Sequence, residues 1–405
     1  MKKKNVLFLL MTVLLAVALL ASGCGKKDSS APGNANQSPG QAEVKEPLKI
    51  GAIFATTGGA ASLGTPARDT VIMLEEQINA AGGINGHPLK VIIYDTETDG
   101  TKALLAAKKL VEEDKVPVVI GPSTSGESLA LVPYFQEEQI PLISVAAAAR
   151  IVEPVEERYW IFKTPQSDYL VFEAMVRYFK QHNLMKVGFI SEATGFGDSG
   201  RLELEKLAPK WGIDVVAWER FDRGDRDMTA QLTRIRRANP DAIVVWSIPP
   251  AASVVQQNIY DLRLNIPVIQ SHGIGNMQFI EVAGQAAEGV IFPAAKLLAV
   301  DSLPDNDPQK KLLLKYKEDF IKKHGYSPPT FGGLAYDALM ITVEAYKSGA
   351  RTPQEIRDFI EQLQNHVGAT GIFNFSPKDH NGLALDSQVW IEIRDGKWNY
   401  LQAVE

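Results

Sequence analysis

The sequence is poor in the residues that build most catalytic and structural centres. Its 405 residues include one cysteine, Cys24, and six histidines. A single cysteine excludes an internal disulfide and any cysteine-held metal. His87, His182, His272, His324, His366 and His380 show no H-x-x-x-H or comparable ligand spacing, so no metal site is expected. Positive charge is not clustered. Beyond Lys2–Lys4 there is no basic run, and without those three lysines the formal charge falls from −6 to −9. Such a chain is not expected to bind nucleic acid. Carboxylate pairs such as Glu112-Glu113 and Glu156-Glu157 read as solvated faces. No nucleophile, base and orienting group come together, so no enzyme and no cofactor are expected.

What is present begins with an address. Lys2–Lys4 precede an apolar run, Val6–Leu20, of about fifteen residues. That is short for a membrane span and right for the core of a signal peptide. It ends at Ala21-Ser22-Gly23-Cys24, which resembles the lipobox of bacterial lipoproteins, with Ala21 where leucine is commonest. The resemblance implies that Cys24 is acylated and becomes the mature N-terminus. A secreted protein with an unmodified Cys24 is the plainer alternative. Gly25–Glu46, rich in Gly, Ser, Pro, Asn and Gln, is expected to be a disordered tether reaching roughly 25 Å. The folded part should start near Pro47, lipid-anchored at a cell membrane on its extracytoplasmic side.

From Leu48 strands and helices alternate, and 405 residues are too many for one ordinary core. Leu48–Phe54 reads as a strand and Ala55–Thr65 as a loop. Pro66 would stand in the first turn of a helix that ends before Gly82-Gly83. The centre of this half is Val118–Ala149. It reads as a buried strand, a Gly121-Pro122 turn, a hydroxyl cluster at Ser123, Thr124 and Ser125, a helix, and a second buried strand, Pro141–Val145. Thr124 and Glu127 have the spacing of a capping box, and Pro133 should kink or end the helix. Open α/β sheets bind ligands at their carboxyl edges, where a helix start favours an anion. The alternative is that the hydroxyls only cap and the alanines only pack. A second series of the same grammar begins near Tyr159, with strands at Lys186–Ser191, Ile213–Trp218, Ala242–Trp246 and Pro267–Gln270. Two α/β domains with right-handed parallel crossovers follow.

Three motifs invite an enzymatic reading. Gly195-Phe196-Gly197-Asp198-Ser199-Gly200 fits G-x-G-x-x-G after a strand and before a helix, with Glu219 about twenty residues on. Glu192-Ala193-Thr194 delays the first glycine, so a glycine-rich loop before a helix is preferred to a nucleotide site. Gly-Asp-Ser-Gly in the same stretch lacks the following glycine of a protease loop, because Arg201 stands there. Gly121-x-Ser123 lacks the second glycine of a nucleophile elbow, where Ser125 stands.

Leu48-Lys49-Ile50-Gly51, TTGGAASLGTPARD, INAAGGINGHPLKVIIYDTETD, VIGPSTSGES, WIFKTPQSDY, GQAAEGV, AYDA and the closing GxF…DGKW resemble the substrate-binding proteins of branched-chain amino-acid ABC transporters. The likeness covers nearly everything after the tether. It implies a type I periplasmic binding protein: an α/β fold of two doubly wound parallel-sheet lobes joined by a three-strand hinge. The expected division is a signal peptide at 1–23, lipidated Cys24 and tether at 24–46, an N-terminal lobe at 47–165 plus 294–375, and a C-terminal lobe at 166–293 plus 376–405. The implied function is capture of a small carboxylate-bearing ligand, an amino acid or related acid, between the lobes and delivery to an ABC permease by a monomer. A ligand-binding module of a sensory system, whose receptor domains share the fold, is the alternative from another class. A nucleotide-dependent enzyme is a more distant third.

Carried over residue by residue, the resemblance places the ligand carboxylate at Ser125 and backbone contacts at Ala146 and Ala147. Ala148 stands where a hydroxyl residue is usual. Leu63 falls on the bulky residue of the first loop, Phe196 and Phe331 on the walls, and Ile248 on the second-lobe wall. His272 falls where an acid would meet the ligand ammonium. A buried ammonium without its carboxylate costs several kcal/mol. The expectation is therefore an aliphatic or aromatic acid lacking the α-amine, with Glu192 or Asp222 as the alternative partner should an amino acid bind. The plainer reading of His272 is a loop histidine capping a backbone group, and that of the apolar residues is packing between lobes.

Overall fold

The computed structural model describes residues 45–404; Cys24, the leader and the tether to Val44 lie outside them. The first half runs β1 (Leu48–Phe54), α1 (Ala61–Ala80), β2 (Leu89–Asp95), α2 (Gly100–Lys108), β3 (Val119–Ile120), α3 (Ser125–Glu138), β4 (Leu142–Ser144) and β5 (Ile161–Lys163). The second continues α4 (Asp168–Gln181), β6 (Lys186–Glu192), α5 (Gly195–Trp211), β7 (Asp214–Phe221), α6 (Thr229–Arg237), β8 (Ala242–Trp246), α7 (Ala251–Asp261), β9 (Val268–Gln270), α8 (Met277–Ala283) and β10 (Ile291–Ala295). The chain then forms α9 (Lys310–His324), α10 (Thr330–Lys347), α11 (Pro353–Gln362), the ribbon β11 (His366–Val367) with β12 (Ile372–Phe373), and β13 (Gln388–Arg394) with β14 (Lys397–Ala403).

Two sheets result. One has the order β2-β1-β3-β4-β5 and is wholly parallel. The other, β14-β13-β10-β9-β8-β6-β7, is parallel from β10 to β7 and antiparallel at β13 and β14. Successive strand side chains point to opposite faces, and here both faces are covered. Ile50, Ala52 and Phe54 of β1 join the core under α1 and α10, whereas Ile53 joins Leu110, Leu131 and Phe135 under α2 and α3. In β8, Val244 and Trp246 face one core while Ile243 and Val245 face the other. That is the doubly wound, two-lobed α/β arrangement expected.

Three connections link the lobes: β5 to α4, β10 to α9, and β12 to β13. They are tied to each other by side chains. Gln166 Nε2 donates to the carbonyls of Thr370 (2.9 Å) and Ser387 (3.3 Å). Asn381 Nδ2 donates to the Pro165 carbonyl at 2.8 Å.

Three local expectations are corrected. Helix α1 starts at Ala61, so Pro66 stands at its sixth residue, and the proposed loop ends early. Gly64 permits this, because a Cβ there would lie 2.1 Å from the Ala55 carbonyl oxygen. Helix α3 does not end at Pro133 but continues to Glu138, with Val132, Tyr134 and Phe135 buried around the proline. Helix α5 begins at Gly195, so Gly195–Gly200 forms its opening residues rather than a loop before it.

Candidate functional site

The carboxyl ends of the two sheets face a cavity of about 300 Å³, the small end of the range for small-molecule sites. The first lobe builds its wall from a helix start. Thr124 caps α3 by accepting from the Glu127 N–H, and the Glu127 carboxylate accepts in return from the Thr124 N–H (3.1 Å) and hydroxyl (2.6 Å). Its other oxygen accepts from the Thr96 hydroxyl. Burial pushes the Glu127 carboxyl above its ordinary range against these hydrogen bonds. The capping box expected from the Thr124–Glu127 spacing is therefore present.

Ser125 lies on the cavity wall, and its Oγ accepts from the Ala148 N–H at 3.2 Å, leaving the hydroxyl proton to donate. Ala146 and Ala147 line the cavity at the end of β4. The Ala147 N–H has no protein partner among the described residues, and its carbonyl accepts from the fully buried Lys163 Nζ at 2.6 Å. That ammonium is held below its ordinary pKa by burial, with Asp168 and Glu153 opposing the shift. The wall expected to take a carboxylate thus combines a helix start, a free amide and a cation one peptide beneath.

Ala148 does not belong to this wall. It is fully buried, in one cluster with Ile151, Trp160 and Ile161. Its part is the amide that fixes Ser125. Ser123 also lines the cavity, but its Oγ accepts from the Ala55 N–H at 3.1 Å and trims the turn.

The second lobe presents a row. Strands β9, β8, β6 and β7 are adjacent, and their ends carry His272, Ile248, Glu192 and Arg223 in that order. At strand spacing of about 4.8 Å, His272 and Glu192 are roughly 10 Å apart at the backbone. Glu192 is fully buried. Ser247 Oγ donates to it at 2.8 Å, and the Arg223 guanidinium pairs with its other oxygen. Arg223 also reaches the first lobe, since a Cβ on Gly59 would lie 3.1 Å from its side chain. His272 is 8% exposed, between Phe196 and Trp246 at ring distances of 5.5 and 5.7 Å. Burial, aided by the Lys163 charge, pushes it down to about 3, so the ring is neutral.

Phe196, Leu63, Phe331, Ile248 and Leu334 supply the apolar lining. All the residues expected at the site except Ala148 thus lie around one cavity. Sequence reasoning passed over Thr98, Gln166, Thr194, Arg223 and Thr330, which line it too, and held Glu192 only in reserve. Arg223 is two residues past the end of β7 in a polar run, and nothing local marks it. Asp222, the other acid held in reserve, is not among the lining residues.

The glycines of Gly195–Gly200 have a packing explanation. A Cβ on Gly197 would lie 1.7 Å from the Glu192 carbonyl oxygen, and one on Gly200 would lie 2.4 Å from the Trp246 indole nitrogen. On Gly195 it would lie 3.0 Å from Gly126, at the point where α5 and α3 meet across the cleft. The walls meet again where Asn276 Nδ2 donates to the Ser62 carbonyl at 2.6 Å. Among the described residues there is no cluster of groups able to hold a metal, and no helix is long and apolar enough to cross a membrane.

Residues 47–389 match the model of the periplasmic binding protein family, and the chain belongs to that family. The leucine-, isoleucine-, valine-, threonine- and alanine-binding protein of Pseudomonas aeruginosa is 24% identical over 334 residues, 82% of this chain and 86% of that one. An extracellular ligand-binding receptor from Rhodopseudomonas palustris is 30% identical with a TM-score of 0.82, covering 88% of this chain and 99% of that one. A branched-chain amino acid transporter substrate-binding protein from Streptococcus pneumoniae, solved with isoleucine, is 25% identical with a TM-score of 0.76, covering 88% and 99%. The chain is thus an extracytoplasmic-type binding protein, and these relatives are binding proteins by their own descriptions.

Proposed function

We propose that this protein captures a small carboxylic acid with an apolar body, lacking an α-ammonium, and delivers it to an ABC permease. The observation that carries the ligand class is the Arg223–Glu192 pair. Glu192 is the acid best placed to meet an ammonium in the second lobe, and it is already neutralised by a neighbouring strand end. Glu127, the other acid on the wall, has both oxygens engaged by Thr96 and Thr124. An amino acid would bring a positive charge into a cavity with no free anion, an arrangement that costs several kcal/mol. An acid without the amine presents its carboxylate to Ser125, the Ala147 amide and the start of α3. Its body packs on Leu63, Phe196 and Phe331, and such burial contributes roughly 2–3 kcal/mol.

A thermal-shift panel pairing leucine, isoleucine and valine with their 2-oxo analogues tests this reading. Stabilisation by the oxo acids alone supports it. Stabilisation by the amino acids alone overturns it and makes Glu192 or Glu127 the ammonium partner. Anchoring through acylated Cys24 is part of the same proposal. Cys24→Ala should move the protein to the soluble fraction, since an acyl chain supplies membrane affinity that a polar tether lacks. Unchanged membrane association, with no acyl mass on the wild type, removes the anchor.

A further inference from the structure

Two backbone groups of the first lobe are left unpaired by the helices that carry them. Pro66 stands inside α1. It has no N–H, so the carbonyl of Ser62, four residues earlier, loses its helical donor. Thr330 is the first residue of α10, and its N–H lies in the turn where no helical acceptor exists. In both cases the partner comes from the second lobe. Asn276 Nδ2 donates to the Ser62 carbonyl at 2.6 Å, and the Thr330 N–H donates to the Gly275 carbonyl at 3.0 Å.

The two partners are neighbours on one turn, and that turn is fixed to its own lobe. It follows β9, where the Ser271 N–H donates to the Val245 carbonyl at 2.9 Å and the Ser271 hydroxyl to the Ser247 carbonyl at 3.0 Å. Asn276 Oδ1 caps α8 by accepting from the Gln278 N–H at 2.9 Å, which holds the side chain with its amide nitrogen on Ser62. Gly275 lets the lobes approach, since a Cβ there would lie 2.4 Å from Thr330 Oγ1. The same turn supplies His272 and Gly273 to the cavity wall, and the residues it reaches stand next to Leu63 and Phe331 of the wall opposite.

We infer that Asn276 is a positioning residue that latches the lobes over a bound ligand, by taking the Ser62 carbonyl that Pro66 leaves free. The inference rests on the reading that the cleft captures a ligand, and it does not depend on whether that ligand carries an amine. Water replaces the amide at the Ser62 carbonyl when the lobes part, so the bond adds little to the folding of either lobe. It belongs to the closed state alone. A contact made only in the closed state shifts the population toward closure, and it acts on ligand release more than on encounter.

The test uses Asn276→Asp and Asn276→Ser, because aspartate and serine also serve as N-caps and neither carries the amide donor. Release of 4-methyl-2-oxopentanoate and of leucine is followed by stopped-flow tryptophan fluorescence, and small-angle X-ray scattering gives the dimensions of the unliganded proteins. For whichever acid binds the wild type, release should be about tenfold faster in Asn276→Asp. Asn276→Ser should move the same way by less, with association nearly unchanged and the unliganded melting midpoint held in at least one variant. Release unchanged in both variants overturns the latch and leaves the ligand reading standing. A midpoint lowered in both overturns it too, because Asn276 then serves the fold of its own lobe as the cap of α8. If neither acid binds the wild type, the reading of the ligand fails and scattering decides the latch by itself. A wild type more compact than Asn276→Asp sustains it, and equal dimensions overturn it.

Discussion

Both lobes bring the same device to the cleft, a threonine that caps a helix pointing at the cavity, and they use it differently. Thr124 and Thr194 each accept from the N–H three residues on. In the first lobe that residue is Glu127, which closes a capping box and accepts a further hydrogen bond from Thr96. In the second it must be Gly197, because a side chain there would strike the Glu192 carbonyl. The second lobe's acid therefore comes before the cap, at the end of β6, and finds its cation on the neighbouring strand end. One wall meets its acid with hydroxyl and amide donors, and the other with a cation from the neighbouring strand end. Only the second kind of pairing can be exchanged for a ligand without undoing a helix start.

The largest effect should come from breaking the cross-strand pair. Arg223→Met leaves Glu192 buried without its cation, and removing one partner of a buried pair costs about 3–5 kcal/mol. Arg223 is 29% exposed at its side chain, so we expect a loss below that range, about 2 kcal/mol, by chemical denaturation. The freed carboxylate should also shift preference from 4-methyl-2-oxopentanoate toward leucine. Stability and preference both unchanged would mean that Glu192 is satisfied without Arg223.

Next in size is the contact between the two helix starts. Gly195→Val adds atoms where α5 meets Gly126 of α3, and overpacking of this kind costs about 1–3 kcal/mol. The clash exists only when the lobes are together. Ligand affinity should drop by about 10- to 100-fold, while the unliganded melting midpoint holds. A drop in the midpoint with affinity retained would place the contact inside one lobe's folding rather than in closure.

Local relations were legible in the sequence and cross-strand ones were not. The alternation of strands and helices, the Thr124–Glu127 spacing and the placement of Ser125, Ala146, Ala147 and Phe196 at strand ends or helix starts all follow from neighbours within a few residues. Arg223, Gln166 and Thr330 reach the cavity because of strand order and hinge crossings, which no local period encodes. The misreadings have the same origin. Gly64 falls in the loop read at Ala55–Thr65, yet it sits inside α1 with the Ala55 backbone beside it. Ala148 follows two lining alanines, yet it is fully buried and does not line the cavity.

Two serines two residues apart sharpen the first-lobe half of the contrast. Ser125→Ala removes a hydroxyl free to donate to a charged group, a loss of roughly 1–3 kcal/mol in binding, read by calorimetry. Ser123→Ala should leave affinity nearly unchanged and lower stability by about 1 kcal/mol, because it orphans the Ala55 N–H. Equal effects on affinity would move the carboxylate away from the start of α3.

The smallest effect tests whether Glu127 is as self-contained as its hydrogen bonds imply. Glutamine also serves at the third position of a capping box, so Glu127→Gln should retain the helix start and change ligand affinity less than threefold. Its effect on stability should depend on pH. Burial raises the folded-state pKa of Glu127 above 4.5, so the group's contribution is fully present below that value. It is lost as pH rises through the raised pKa, when the carboxylate must ionise in a buried setting. Glutamine carries no such loss. The variant should therefore match the wild type near pH 4 and gain on it toward pH 7. Denaturation curves at several pH values read the slope. A gain that is flat with pH would show that Glu127 ionises as freely in the folded protein as in the unfolded chain, and a large loss of affinity would make it a ligand contact after all.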